Sequence, residues 1–269
     1  RNDISLNINY ISPTLGGKRL DRVTRNDVER LHQAMLDQGL AASTCNHLIK
    51  IMRRAYNYAI ENGLVKNNPV AKIKAFPEDN KRQRILTPEE LQRLTAVLKS
   101  ESNRMVCNVV LLLLSTGLRL NEALSATWSA VDKDGRTLSV AASVSKSGKR
   151  RLVPLNDAAL RVLDDVGTEG KHAHVFINTR TGERLTTISK VWNRLRKEAG
   201  MSDLRLHDLR HTYASMLVNA GVSIYEIQQI LGHADIKQTS RYSHVAPETQ
   251  QKAASVASEQ ILAALDSAA

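Results

Sequence analysis

Apolar residues recur three and four positions apart along much of this chain, and the rhythm marks helices. Val28, Leu31 and Met35 predict a helix over 25–38, with Thr24 as its cap and Gly39 as its stop. A second predicted helix runs from Ala42 to Asn62, with Leu48, Ile51, Met52, Ala55 and Ile60 on its apolar side. Asn67-Asn68-Pro69 ends that pattern, and the stretch from Lys72 to Arg84 is polar, charged and interrupted by Pro77. The expected division is therefore a small helical domain over 1–78, a linker over 79–84 and a larger domain over 85–269. The larger domain opens on Thr87, Pro88 and Glu90, a cap, a first-turn proline and a capping-box partner. Asn103 to Leu114 is apolar almost all round, which predicts a buried central helix. It leads into STGLRLNEALSATW, where Leu120, Ala123, Leu124 and Trp128 are expected to point inward and Arg119 and Glu122 to share another face.

The period changes from Thr137 to Asn156. Leu138, Val140 and Ala142 alternate, as do Leu152 and Pro154, which predicts a hairpin with a tight turn at Ser147-Gly148. Lys146, Lys149, Arg150 and Arg151 cluster at its tip. Leu155–Val166 and Thr187–Ala199 read as helices, with a short strand at Val175–Asn178 between them. In the next helix Leu209, Tyr213, Met216, Leu217 and Ala220 form an apolar face, placing His207, Arg210 and His211 on the other side. Gly221 stops it and Ser223 caps a further helix bearing Ile224, Ile227 and Leu231. Gly232, His233 and a polar connection lead to Tyr242, and an Ala-rich helix is predicted over 247–265, with Val256, Ile261, Leu262 and Leu265 apolar. The fold class expected is mainly α with a small antiparallel β-sheet.

Charge narrows the partners. The 269 residues carry 38 Lys plus Arg against 27 Asp plus Glu, a net charge of +11. Residues 1–78 hold 12 basic and 7 acidic side chains, and the remainder 26 and 20, so both parts could grip a polyanion. On the helix from Ala42, Thr44, Asn46, Lys50, Arg53 and Arg54 offer phosphate contacts and base-edge donors. Cys45 and Cys107 supply no disulfide framework and no cysteine-based zinc site, which suits a reducing cytoplasm. The longest apolar run, Val109–Leu114, is too short for a bilayer. The chain opens at Arg1 rather than Met and reads as a piece of something longer.

Two imidazoles and a guanidinium on one helix, a third imidazole after the next, then a tyrosine in polar surroundings: this order suits attack on a phosphodiester. HDLRHTYAS and LGHADIKQTSRY, preceded by TGLRLNE, resemble the motif blocks of the tyrosine recombinases, the phage-type integrases. The resemblance covers essentially the whole chain. It implies a helical core-binding domain that holds the far side of a DNA duplex, followed by an α+β catalytic domain. It further implies a strand transferase working through a 3′-phosphotyrosyl intermediate, with integration or excision of a mobile element as its task. Tyr242 would be the nucleophile. Arg119 and Arg210 would clamp the non-bridging oxygens, with His233 as a third donor. Lys146 would protonate the leaving 5′-oxygen, Lys149 standing as the alternative in another register. His207 would help remove the Tyr242 proton and Glu122 would orient its neighbours. The hairpin, with Lys149, Arg150 and Arg151, would reach the DNA.

No cofactor and no metal are implied. The expected partners are double-stranded DNA, a homo-tetramer on synapsed sites and accessory DNA-bending proteins, with no membrane. The expected setting is cytoplasmic and nucleoid-associated, in a bacterial cell or phage-infected host. Three rival readings remain at this point. A type IB topoisomerase shares the chemistry. A non-catalytic DNA-binding regulator would need only the helices and basic faces. A zinc hydrolase could use His207 and His211, but the HExxH glutamate is missing.

Overall fold

The computed structural model describes residues 2–78, 84–145, 148–233 and 235–239. The chain separates into two compact units, Arg1–Arg82 and Gln83–Ala269. In the first unit, α1 (Asn2–Leu6) continues through a π-turn over Asn7–Ile11 into α2 (Ser12–Leu15). Next come α3 (Arg25–Asp37) and α4 (Ala42–Glu61). Thr24 caps α3 as its sequence position predicts, and the Asp27 carboxylate accepts from the Thr24 backbone N–H in return. Lys18 and Arg30 also donate to Asp27, and the hydrogen bonds from Lys18 and Thr24 hold its pKa far below the ordinary carboxylate range. Val28, Leu31 and Met35 pack with Cys45, Leu48, Ile49, Met52 and Tyr56 in one core. The buried stripe of α4 is thus turned from the expected one, since Ala55 and Ile60 are exposed while Cys45, Ile49 and Ala59 are buried.

This turn corrects the expected DNA face of α4. Asn46 is buried and its amide nitrogen donates to the Phe76 carbonyl at 2.9 Å and to the Glu78 carboxylate at 2.6 Å. The Phe76 N–H donates back to Asn46 Oδ1 at 2.8 Å, and the Phe76 ring stacks on His32 with centroids 3.9 Å apart. Arg53 donates to the carbonyls of Val70 and Ile73, and Asn68 donates to Asn57 Oδ1. Asn46, which is buried, and Arg53, which is half-buried, therefore strap residues 68–78 along α4. The reason is that an extended segment without its own ladder must find side chains for its backbone groups. Of the other residues singled out on α4, Lys50 and Arg54 are exposed, Arg54 pairing with Asp3, and Thr44 is half-buried.

The second unit starts with α5 (Pro88–Ser100), whose Thr87–Glu90 capping box forms as predicted. At its centre is α6 (Arg104–Thr116), buried on nearly every side and packed on α8 (Asp157–Asp165) and α10 (Leu206–Asn219). The short α7 (Leu120–Leu124) leads to an antiparallel sheet of order β1 (Val131–Asp132), β2 (Thr137–Val140) and β3 (Arg151–Pro154). α9 (Ser189–Glu198) and α11 (Ile224–Leu231) are the unit's other α-helices among the described residues. Among the described residues no helix is long and apolar enough to cross a membrane.

Two expectations for the sheet region need correction. Val140 pairs with Arg151, so residues 141–150 connect the strands; there the Gly148 N–H donates to the Ser145 carbonyl at 3.0 Å, and Ser147 of the expected turn lies outside the described residues. Leu138 and Val153 face the core across the ladder, while Leu152 and Pro154 are exposed. The alternation on β3 is thus displaced by one residue, which exchanges its faces. Val175 to Asn178 is not a strand: isolated bridges join Ile177 to Arg184 and, just before the segment, His174 to Thr127, although Val175 and Phe176 are wholly buried.

Asn46→Ala should lower the stability of the first unit by about 2 kcal/mol, because Phe76 loses backbone partners in a buried setting. Lys50→Ala should change it by less than about 0.5 kcal/mol. Urea unfolding followed by amide exchange at Phe76 checks both. Unchanged protection of that amide in the Asn46 variant would argue against the strap.

Candidate active site

The site is built on two helix ends. α6 stops at Gly117 and α11 at Gly232, each with φ near +65°, a conformation in which a side chain is strained. At Gly117 a Cβ would also lie 2.6 Å from the Tyr213 ring and 2.8 Å from Leu231. The two termini therefore approach closely, and Arg210 of α10 joins them. Its guanidinium donates to the Gly117 carbonyl at 2.7 Å and to the Leu231 carbonyl at 2.6 Å, with the side chain only 2% exposed. C-terminal carbonyls carry the negative end of the helix dipole, so a buried cation is stabilised there.

A second cluster adjoins it. The Arg119 guanidinium donates to Glu122 Oε1 at 2.9 Å and lies 3.5 Å from the Gly232 carbonyl. Glu122 Oε2 accepts from the Arg119 backbone N–H at 2.8 Å. From β3, Arg151 lays its fork on the same carboxylate, at 2.9 and 2.8 Å, and its Nε reaches the Ile230 carbonyl at 3.4 Å. Burial alone would push the Glu122 carboxyl up, but hydrogen bonds and charge from Arg151 and Arg119 hold it below its ordinary value. Arg119 and Arg151 thus share the Glu122 carboxylate, and with Arg210 they bring three guanidiniums to the end of α11. That is a setting for an anion with planar, paired oxygens.

His233 follows α11 directly, half-buried, with its Nδ1 2.8 Å from the Thr239 hydroxyl and its carbonyl accepting from Gln228. Arg119, Arg210 and His233 are thus brought together at the α11 terminus. His207 is exposed one turn earlier on α10, its ring edge-on to His211 with centroids 4.8 Å apart. The expected two-faced α10 is not what forms. Arg210, His211, Thr212 and Ser215 are buried along with Leu209, Tyr213 and Ala214, while Met216 and Ala220 are exposed. The polar side is enclosed because its groups have internal partners: the Thr212 hydroxyl accepts from the Leu86 N–H at 3.0 Å and donates to the Asp208 carbonyl.

On the loop entering β3, Lys149 and Arg150 are exposed, and Arg150 donates to the Ser139 hydroxyl. Arg151, grouped with them by sequence, is turned inward to Glu122. The signal was present: with Val153 facing the core, period two puts Arg151 on the same side. Lys146 and Tyr242 lie outside the described residues, as does the predicted helix over 247–265. Among the other tyrosines, Tyr213 is buried and burial pushes its phenol pKa up, a poor state for a nucleophile. Tyr225 is on the exposed side of α11.

Glu122→Gln should cost about 3 kcal/mol of stability at neutral pH, since it leaves buried arginines without their counter-charge. The folded carboxyl titrates below its ordinary 4.5, so its contribution is complete above that pH and is lost as the pH falls through the lower folded value. Urea unfolding of both proteins at pH 7 and at about pH 3 should therefore show the gap shrinking on acidification. A gap that stays constant would contradict the pairing.

The phage integrase family model matches residues 84–249. The integrase of Salmonella phage P22 is 36% identical over 186 residues, covering 65% of this chain and 47% of that relative, so the match spans about half its length. Tyrosine recombinase XerD of Oceanobacillus iheyensis is 30% identical over 238 residues, 84% of this chain and 79% of the relative. Among solved structures, a lambda integrase dimer bound to a COC′ core site superposes with a TM-score of 0.75 at 24% identity, covering 92% of this chain and 88% of that one. The Tn1549 transposon integrase with transposon right end DNA gives 0.74 at 22% identity, over 90% and 87%. Both likenesses bear on the fold, which is mainly helical with a small antiparallel sheet. With the family model spanning more than half of its residues and the XerD match most of its length, the chain belongs to the phage integrase family of tyrosine recombinases.

Proposed function

We propose that this chain cuts and rejoins DNA strands at specific sites by transesterification, for the integration or excision of a mobile element. The observation that carries the reading is the meeting of Arg119, Arg210 and His233 at the C-terminal end of α11. A scissile phosphate placed there would meet two guanidiniums and an imidazole, donors suited to the charge that builds on a phosphorane. Tyr242 attacks, forming the 3′-phosphotyrosyl bond as the 5′-oxygen leaves, and the reverse attack by a 5′-hydroxyl reseals the strand. Lys146 gives the leaving oxygen its proton, and His207 assists removal of the phenolic proton. Bond energy is conserved, so no nucleotide cofactor is required.

Lys50 and Arg54 on α4, with Thr44 beside them, contact the duplex from the first unit. Lys149 and Arg150 do so from the hairpin loop. The division into a helical DNA-binding domain over 1–78, a linker over 79–84 and a catalytic domain over 85–269 suits a clamp around DNA. Support for a four-subunit assembly on paired sites comes from a lambda integrase tetramer bound to a Holliday junction, a structure with TM-score 0.69 at 24% identity. Accessory DNA-bending proteins would aid pairing of the sites in a bacterial or phage-infected cell.

The test uses a nicked duplex bearing the sequence that the chain selects from a randomised duplex pool. Tyr242→Phe should abolish the covalent adduct while leaving DNA affinity within about 2-fold, because one hydroxyl is lost from a large interface. Arg119→Lys and Arg210→Lys should each slow cleavage by about 100-fold or more, since lysine keeps the charge but not the fork. An adduct persisting in the Phe variant, or near-parental cleavage in both lysine variants, would defeat the assignment. Efficient relaxation of plasmid lacking that sequence, by monomers, would favour a topoisomerase.

A further inference from the structure

We propose that Arg151 is a positioning residue for strand cleavage, acting through Glu122 to aim the Arg119 guanidinium and tying that guanidinium to the hairpin that bears the basic loop. The inference rests on the strand-transfer reading above. Arg151 is the first residue of β3, directly after Lys149 and Arg150, and its partner across the ladder is the buried Val140. Its side chain is 10% exposed and that of Glu122 is 1% exposed, so their two-point contact is shielded from water. Both Glu122 oxygens are shared: Oε1 accepts from Arg119 Nη1 and Arg151 Nη1, and Oε2 from the Arg119 backbone N–H and Arg151 Nη2. The carboxylate is thus a single anchor for two guanidiniums from different elements.

A third element is locked to the same side chain. Arg151 Nε reaches the Ile230 carbonyl, and a Cβ at Gly232 would fall 2.5 Å from Arg151 Cδ. The glycine that ends α11 therefore seats against Arg151, immediately before His233. Displacement of β3 must move Arg151, and with it the carboxylate that orients Arg119 and the turn that places His233. The Arg151 fork is occupied by Glu122. A loop engaged by DNA would thereby set the phosphate-binding groups through one buried contact.

The experiment is single-turnover cleavage of the selected nicked duplex by the full chain, at saturating and half-saturating DNA. Arg151→Gln should bind within about 2-fold of the parent yet cleave at least about 10-fold more slowly at saturation, the mark of a group acting after binding. Arg151→Lys keeps the charge but not the paired contact, and should restore part of the rate, leaving about 3-fold or more of the loss. Because Arg151 acts through Arg119, adding Arg151→Gln to Arg119→Lys should slow cleavage by less than about 2-fold further. Parental cleavage by folded Arg151→Gln, or losses that multiply in the double variant, would overturn the inference. Should Arg151→Gln not fold, parental cleavage by Arg151→Lys overturns it equally. A parent that forms no adduct, or an adduct that survives Tyr242→Phe, counts against the functional reading; a cleaving parent indifferent to Arg151 counts against this inference alone.

Discussion

The proposed function requires Arg119 to be held in place before a phosphate arrives, and the Glu122 carboxylate is what holds it. Left to themselves, Arg119 and Arg151 would repel one another and seek water. A buried carboxylate between them removes the repulsion, fixes both forks and is itself kept ionised by their hydrogen bonds. Such a charge is costly to bury alone, and it is tolerated here because each oxygen has two donors. Arg210 is held by backbone carbonyls. Carbonyls at the ends of α6 and α11 accept from it and place the negative ends of two helix dipoles against its charge.

The rest of the second unit can be understood as support for that arrangement. The buried α6 brings Gly117 to within contact distance of Tyr213 and Leu231, which only a residue without a side chain permits. α10 gives up the usual apolar-in, polar-out division so that Arg210 and Thr212 can reach inward. Through Thr212 it also holds the backbone at Leu86, near the start of the unit. Coupling the entry of the unit to the helix that carries Arg210 makes the site depend on the unit being folded as a whole.

Much of this was legible in the residues. The capping boxes at Thr24, Thr87 and Ser223 have fixed spacing and local physics, and all three form. That Arg119 belongs with Arg210 and His233 was implied by the resemblance of their motif blocks, since helix spacing and glycine stops are local signals and relate only near neighbours. Long-range demands were less visible. Asn46 and Arg53 look like a DNA face until residues 68–78 are seen to need partners for their backbone groups. Arg151 looks like part of a basic tip until the strand register, set by Val153 against Leu138, turns it inward. In both cases a polar residue serves a distant piece of the same chain; period two could give the face of Arg151 once Val153 was known to point inward, but not its partner.

The most direct measurement is the identity of the covalent bond itself. The chain should be reacted with a nicked duplex carrying its selected sequence, digested with protease and nuclease, and the nucleotide-bearing peptide sequenced by mass spectrometry. A 3′-phosphonucleotide on Tyr242, formed in the parent and missing when Arg119 and Arg210 are both replaced by lysine, is the predicted result. A nucleotide on Tyr213, Tyr225 or a serine, or an adduct on Tyr242 that forms undiminished without the two guanidiniums, would contradict the account.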